Sequence, residues 1–109
     1  MKIGIIGYGV VGKAADYTLR DEYEIIKYDK YLELNKFDEL IHCKFIFVVV
    51  PTPFDCLSNR TDDSAIRESL GKLQELKYDG IVIIKSTTAP GTCVKYLNNY
   101  ELKIIFNPE

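Results

Sequence analysis

Three glycines near the start of the chain have the spacing with which a backbone turn can approach a phosphate. Gly7, Gly9 and Gly12 follow a short apolar run and precede a helical pattern. In this arrangement the first glycine permits a tight turn, the second lets the backbone approach a pyrophosphate, and the third lets the helix lie close to the strand. The N–H groups at the start of the helix would point at the phosphates. We therefore predict a dinucleotide site with cofactor contacts from the whole segment, Gly7, Tyr8, Gly9, Val10, Val11 and Gly12.

A carboxylate follows at the distance that a dinucleotide site requires. Asp29 ends the second apolar run, seventeen residues after Gly12, where an acidic side chain accepts hydrogen bonds from the ribose hydroxyls of adenosine. An acidic group at this point favours NAD, because it repels the 2′-phosphate of NADP, whereas the neighbouring Lys30 would attract that phosphate. The alternative is a glycine-rich turn beside a surface aspartate, with no ligand.

Three later segments follow apolar runs and would meet at the ligand-binding edge of a parallel sheet. The first, Pro51-Thr52-Pro53, forms a rigid wall or simply ends a strand. In the second, Ser86 and Thr87 supply hydroxyls, although Ser86 or Thr92 could instead cap the next helix. The third ends in Glu109, whose carboxylate beside a nicotinamide would suit general-base or water-positioning work. The alternative for Glu109 is a frayed chain end.

Five short apolar runs predict the strands that position these residues. They are rich in β-branched and aromatic residues, and most lack the alternation of a half-exposed strand, which is typical of a parallel sheet buried on both faces. The runs cover residues 3–6, 24–28, 45–50, 81–84 and 104–106. Helical patterns lie between them, so right-handed βαβ crossovers are expected. We predict an α/β fold with a Rossmann-type doubly wound parallel sheet in the strand order 3-2-1-4-5.

Three helices are expected from apolar spacing. The first follows the glycine segment. The second starts at Asp62 or Asp63 as the capping residue, and its apolar face is predicted to carry Ile66, Leu70, Leu73 and Leu76. The third starts after the segment Pro90-Gly91-Thr92, with Val94 and Leu97 turned inward.

Length and composition limit the class of protein. The chain has 109 residues, which fits one domain over 1–109. A formal net charge of −2 and a pI of about 5.4 argue against nucleic acid or an anionic membrane surface as a partner.

The longest apolar run is too short to span a bilayer. An odd number of cysteines without a Cys-x-x-Cys pair, with His42 as the single histidine, argues against a disulfide framework or a metal site. The three cysteines are Cys43, Cys56 and Cys93. Because they are expected to be free thiols, which suit a reducing compartment, we predict a cytoplasmic protein.

The motifs taken together, in this order, resemble the NAD-binding domain of the UDP-glucose/GDP-mannose 6-dehydrogenase family. The resemblance covers the whole chain and is carried by the segments Gly7-Tyr8-Gly9-Val10-Val11-Gly12, Val50-Pro51-Thr52-Pro53, Lys85-Ser86-Thr87, Pro90-Gly91-Thr92 and Asn107-Pro108-Glu109. Thr61-Asp62-Asp63-Ser64 is also similar to the family's Asp-x-Ser helix start.

The resemblance implies an activity and a role for several residues. The family oxidises the C6 alcohol of a nucleotide sugar to a carboxylate in two steps with two NAD⁺. By position, Thr87 would help to hold a catalytic water near the sugar, and Glu109 would contribute to the hydrolytic stage. The remaining implied residues contact NAD, and we expect them to be Asp29, Lys30, Pro51, Thr52, Pro53, Ser86 and Thr87 together with the glycine segment.

The chain also departs from the family's pattern. The family's catalytic cysteine lies on a later segment, and none of the three cysteines here stands in its motif. We therefore expect the central and UDP-sugar-binding domains to be absent, so that the chain binds NAD but needs a second domain for a UDP-sugar. Two alternatives stay open: a stand-alone NAD-binding or partner module, and a β-hydroxyacid or 6-phosphogluconate-type dehydrogenase domain. The last strand would form an apolar edge, which predicts a homo-oligomer or a partner chain.

Overall fold

The computed structural model describes residues 1–32, 35–50, 52, 54–55, 57, 60–86 and 92–107. Strands and helices alternate along most of this length, as βαβ crossovers require. In chain order the elements are β1 (Lys2–Ile6), α1 (Val10–Leu19), β2 (Glu24–Tyr28), a 3₁₀ helix (Phe37–His42), β3 (Phe45–Val48), β4 (Phe54–Asp55), β5 (Arg60–Thr61), α2 (Ser64–Glu75), β6 (Ile81–Ile84), α3 (Thr92–Asn99) and β7 (Lys103–Phe106).

The main sheet has five parallel strands in the order β2-β1-β3-β6-β7, and β4 pairs antiparallel with β5 in a separate ribbon. The predicted α/β fold with a five-stranded parallel sheet is confirmed. Counted over the five predicted strands, however, the order is 2-1-3-4-5 rather than 3-2-1-4-5. β3 lies between β1 and β6, with Ile3 paired to Phe45 and Phe45 paired to Ile81.

The position of β3 has a physical reason. Its apolar side chains occur on both faces: Ile46 and Val48 are fully buried on one face, and Phe45 and Phe47 are half-buried on the other. This pattern suits a strand inside a parallel sheet with a neighbour on each side. The connection from β2 contains a short 3₁₀ helix instead of a long crossover helix. β2 lies on one side of β1 and β3 on the other, so that β1 and β3 form the switch point of the sheet.

One face of the sheet packs on α2 and α3. In α2, Ile66, Leu70 and Leu73 are fully buried, which confirms its predicted apolar face, and Leu76, after the last residue of the helix, is half-buried. The predicted face of α3 was wrong. Val94 and Leu97 are 58% and 53% exposed, whereas the intervening Tyr96 is 2% exposed.

Contacts of the Tyr96 side chain explain how α3 is turned. Its ring stacks on Phe106 of β7 with centroids 5.9 Å apart, and its hydroxyl donates a hydrogen bond to the Asp63 carboxylate. Asp63 is the N-terminal capping residue of α2, but its carboxylate bonds Tyr96 and Arg67 rather than the helix backbone. The N–H of Ser64 donates instead to Asp62. Asp63 therefore joins α2 to α3, and Asp62 caps the start of α2.

The other face of the sheet is covered in part. α1 lies on the side of β1 that presents Ile3 and Ile5, which are 5% and 0% exposed. In the same row of the sheet, Phe47 pairs with Ile5, and Ile83 and Ile105 continue the row across β6 and β7. Ile105 is 50% exposed, so this row becomes more open with distance from α1.

None of the helices in the described part of the chain is long and apolar enough to cross a membrane.

Candidate functional site

The glycine segment joins β1 to α1 in a conformation that two of its three glycines must supply. Gly7 has a φ of +97°, in the left-handed region where side chains are strained, and a Cβ there would lie 2.8 Å from the carbonyl oxygen of Val49. A Cβ on Gly12 would collide with the carbonyl oxygen of Gly7. At Gly9 a Cβ would meet nothing within 4 Å. Gly7 and Gly12 are therefore required by the fold, whereas Gly9 borders open space.

Asp29 holds the glycine segment from the side of β2. Its Oδ2 accepts a hydrogen bond of 2.8 Å from the backbone N–H of Tyr8, and its Oδ1 accepts one of 2.9 Å from the backbone N–H of Tyr31. A carboxylate has about four lone-pair positions, so each oxygen can still accept a ribose hydroxyl. Asp29 thus anchors the loop and keeps acceptor capacity towards a ligand.

A cleft of about 360 Å³ lies where these groups meet, at the carboxyl ends of β1, β2 and β3 and beside the start of α2. This is the switch point of the sheet, at which open α/β sheets bind ligands. The cleft has a volume that is usual for small-ligand sites. Its described lining residues are Ile6, Gly7, Gly9, Asp29, Lys30, Tyr31, Val49, Val50, Ser64, Ala65 and Glu68.

The side chain of Tyr8 is held behind the glycine segment. Its hydroxyl donates a hydrogen bond of 2.5 Å to Asp16 of α1, and the same carboxylate oxygen accepts bonds from Arg20 at 2.8 Å and Lys27 at 3.2 Å. Asp16 is 2% exposed. Burial alone would raise the pKa of Asp16, but the hydrogen bonds from Tyr8, Arg20 and Lys27 hold it below its ordinary value. The loop is therefore fixed by one aspartate on each side.

Ser86 joins the end of β6 to the end of β3. Its hydroxyl is 2.7 Å from the carbonyl oxygen of Val50, to which it donates, and 3.4 Å from that of Val48. Ser86 is 9% exposed, and this bond brings the segment after β6 against the segment after β3. Thr52 is half-buried. The predicted residues Pro51, Pro53, Thr87 and Glu109 lie outside the described residues.

Val10 and Val11 contribute their side chains to a different depression. They are 88% and 39% exposed, and they line a groove of about 460 Å³ between α1 and Phe47 on the far side of the sheet. Their predicted contact with a dinucleotide therefore depends on their backbone. The N–H groups of the first turn of a helix have no partner within the helix, so those of Val10 and Val11 suit an anion.

Comparison with known proteins identifies the fold and no family. No protein-family model matches the sequence, and no curated protein matches it. The chain is similar to a solved structure described as the crystal structure of CapF with inhibitor 3-isopropenyl-tropolone. The TM-score is 0.69, the sequence identity is 16%, and the match covers 99% of this chain and 31% of that chain. At this identity the likeness concerns the fold alone, and the chain corresponds to about a third of the other protein's length.

Sequence reasoning missed the part of the cleft that α2 supplies. Ser64, Ala65 and Glu68 line it, although the sequence pattern indicated Ser64 only as part of a helix start. The signal was available, because a helix that follows β3 must begin near the carboxyl edge of the sheet. Asp16 was also missed. It lies four residues after Gly12 and four before Arg20, a spacing that places all three on one helix face.

Proposed function

We propose that the chain binds NAD, with the adenosine in the cleft and the pyrophosphate at the glycine segment. The observation that carries the proposal is that Gly7, Gly9 and Asp29 line one cleft at the switch point of the sheet. Asp29 would accept the ribose hydroxyls, and the N–H groups at the start of α1 would bind the pyrophosphate.

The residues present fit the adenosine half of a dinucleotide. The open space at Gly9 leaves room for a phosphate beside the backbone. Val49 and Ala65 supply small apolar surface for a base, and Tyr31, which is 85% exposed, offers an aromatic ring at the mouth. When bound, NAD would supply a hydride acceptor at its nicotinamide; the described residues bind and orient the other half of the molecule.

We further propose that this NAD-binding domain belongs to an enzyme similar to the UDP-glucose/GDP-mannose 6-dehydrogenases. The motifs at Thr52, Ser86 and Asn107-Pro108-Glu109 support this, with Thr87 and Glu109 as the catalytic residues. The bond between Ser86 and Val50 supports it too, because it holds two of the motif segments together at the ligand-binding edge. A UDP-sugar site would require another domain.

Calorimetric titration of the folded protein with NAD⁺ and NADP⁺ tests the binding proposal. We expect NAD⁺ to bind more tightly, and Asp29→Asn to weaken its binding about tenfold because a charge-assisted acceptor is lost. Asp38→Asn is the matched control, since Asp38 is an exposed aspartate of the 3₁₀ helix that does not line the cleft. Equal affinity of the Asp29 variant and the control for NAD⁺ would contradict the proposed role of Asp29.

The reading frames that follow the codon for Glu109 test the family proposal. We expect them, or an adjacent gene, to encode a domain with the family's cysteine motif. A partner domain of the β-hydroxyacid dehydrogenase type would instead favour the second kind of dehydrogenase, and the substrate proposed above would then be wrong.

A further inference from the structure

Lys30 is the cation that a 2′-phosphate would meet in this cleft. In dinucleotide sites, a basic side chain near the end of the second strand accommodates the 2′-phosphate of NADP. Lys30 directly follows Asp29, and among the described lining residues it is the single basic side chain. Its charge, taken alone, would favour NADP, against the preference that Asp29 creates.

The structure shows where that charge is directed. The Lys30 ammonium lies 3.3 Å from Oε2 of Glu68, a residue of α2 that is 38 positions later in the chain. Both side chains line the cleft. Oε1 of Glu68 lies 3.5 Å from the Lys72 ammonium, one helical turn further on. Glu68 therefore directs Lys30 towards α2 and adds a second carboxylate to the cleft that contains Asp29.

Both partners are charged at neutral pH. Hydrogen bonding by Lys30 holds the pKa of Glu68 below its ordinary value, and Glu68 raises the pKa of Lys30. Their side chains are 59% and 42% exposed, and exposed pairs of this kind contribute little to stability. A change at Glu68 should consequently alter the electrostatics of the cleft without unfolding the protein.

We propose that Glu68 is a specificity-determining residue, which keeps the cleft selective for a dinucleotide with a free 2′-hydroxyl by engaging Lys30. The inference rests on the proposed NAD-binding function and extends it to a residue of α2. A 2′-phosphate entering the cleft meets two carboxylates, those of Asp29 and Glu68, and must displace Glu68 from Lys30. A free 2′-hydroxyl is not repelled by the two carboxylates and does not need to displace Glu68, because it is neutral and can donate a hydrogen bond to Asp29.

Glu68→Gln tests the proposal. Affinities of the wild type and the variant for NAD⁺ and NADP⁺ are measured by calorimetry at low salt, and 2′-AMP serves as a smaller probe of the phosphate subsite. We expect the ratio of the NADP⁺ to the NAD⁺ dissociation constant to fall about tenfold, because one charge is removed at close range. The change should shrink as the salt concentration rises.

Glu75→Gln is the matched control. Glu75 is an exposed glutamate of the same helix that does not line the cleft, so this variant removes the same charge elsewhere. A second variant combines Glu68→Gln with Lys30→Gln. It should not show the relative gain in NADP⁺ affinity expected for Glu68→Gln, because the Lys30 ammonium that Glu68→Gln frees is absent.

The outcomes separate the inference from the function on which it rests. A selectivity ratio that is the same in Glu68→Gln and Glu75→Gln, in protein that binds NAD⁺, overturns the inference alone. A gain that persists without Lys30 also overturns it. Folded wild-type protein that binds neither dinucleotide overturns the proposed function and the inference with it.

Discussion

Gly9 differs from the other two glycines of its segment because its missing side chain would touch nothing in the protein. Its backbone, with φ −86° and ψ −153°, lies in extended space that alanine can also adopt. Gly12, by contrast, faces the Gly7 carbonyl closely. Within one motif, Gly7 and Gly12 are therefore needed by the fold, whereas Gly9 would be needed only by a ligand. Substitutions at Gly9 and Gly12 can distinguish these two roles.

Gly9→Ala should leave the free energy of unfolding within about 0.5 kcal/mol of the wild type. The variant should bind NAD⁺ at least about tenfold more weakly, because the added Cβ occupies the space through which the pyrophosphate approaches the backbone. Gly71→Ala is the control, since Gly71 also borders open space but lies in α2 outside the cleft. It should stabilise the helix by about 0.5–1 kcal/mol and leave the affinity for NAD⁺ unchanged.

Gly12→Ala should destabilise the fold by about 1–3 kcal/mol or more. Urea denaturation and calorimetry measure these effects, and NAD⁺ binding by Gly9→Ala at the wild-type affinity would contradict the proposed site.

At the scale of elements, Asp16 connects three parts of the fold. Its carboxylate accepts hydrogen bonds from the glycine segment, from Arg20 just after α1 and from β2. Because the folded protein holds the pKa of Asp16 below the ordinary 3.8, the ionised carboxylate contributes stability above that value. The contribution is lost as the pH falls through the lower, folded pKa.

Asp16→Asn should lower the free energy of unfolding at neutral pH by about 1–3 kcal/mol, the usual contribution of hydrogen bonds to a charged group. Stability of the variant should also fall less steeply than that of the wild type as the pH is lowered from about 5 to about 2. Asp21→Asn, at an exposed position just after α1, is the control. Urea denaturation over a pH series measures both effects. If the free energy of unfolding falls equally steeply below about pH 5 in the wild type and in Asp16→Asn, Asp16 makes no such contribution.

At the scale of the whole molecule, the sheet is covered unequally. β7 is an edge strand, as expected, and the row of Phe47, Ile83 and Ile105 lies on the face where α1 covers only the β1 side. Apolar edges and faces of this kind favour association with another chain. Self-association, which the sequence suggested from the last strand, remains a prediction.

We expect the protein to dimerise in a concentration-dependent way, and Ile105→Lys to weaken the dimer. Leu97→Lys is the matched control, because Leu97 of α3 is 53% exposed and Ile105 is 50% exposed, but Leu97 lies away from that face of the sheet. Sedimentation velocity over a range of concentrations measures both. A monomer at every concentration would contradict the prediction, and an equal effect of the two variants would place the contact elsewhere.

Local signals in the sequence predicted more of α2 than of α3. The twelve-residue α2 has enough turns for its apolar face to be recognised from spacing, and Ile66, Leu70 and Leu73 are buried as expected. The eight-residue α3 has about two turns, and its buried residue is Tyr96, which carries a hydroxyl. A hydroxyl can be buried only with a partner, and that partner, Asp63, is 33 residues away.

The sequence by itself determined the five strands of the main sheet, the three α-helices, the turn at Gly7 and the presence of Asp29 where β2 ends, because backbone sterics and apolar spacing act over a few residues. It did not predict the β4–β5 ribbon or the 3₁₀ helix. The tertiary structure alone decided the neighbours: β3 beside β1, Asp29 on the N–H of Tyr8, Tyr8 on Asp16, and Glu68 of α2 on Lys30. These contacts join residues that are close in space and distant in the chain, and they depend on how buried faces pack. The cleft is formed where such contacts converge, so the pairing of Glu68 with Lys30 at its α2 side could be found only in the folded molecule.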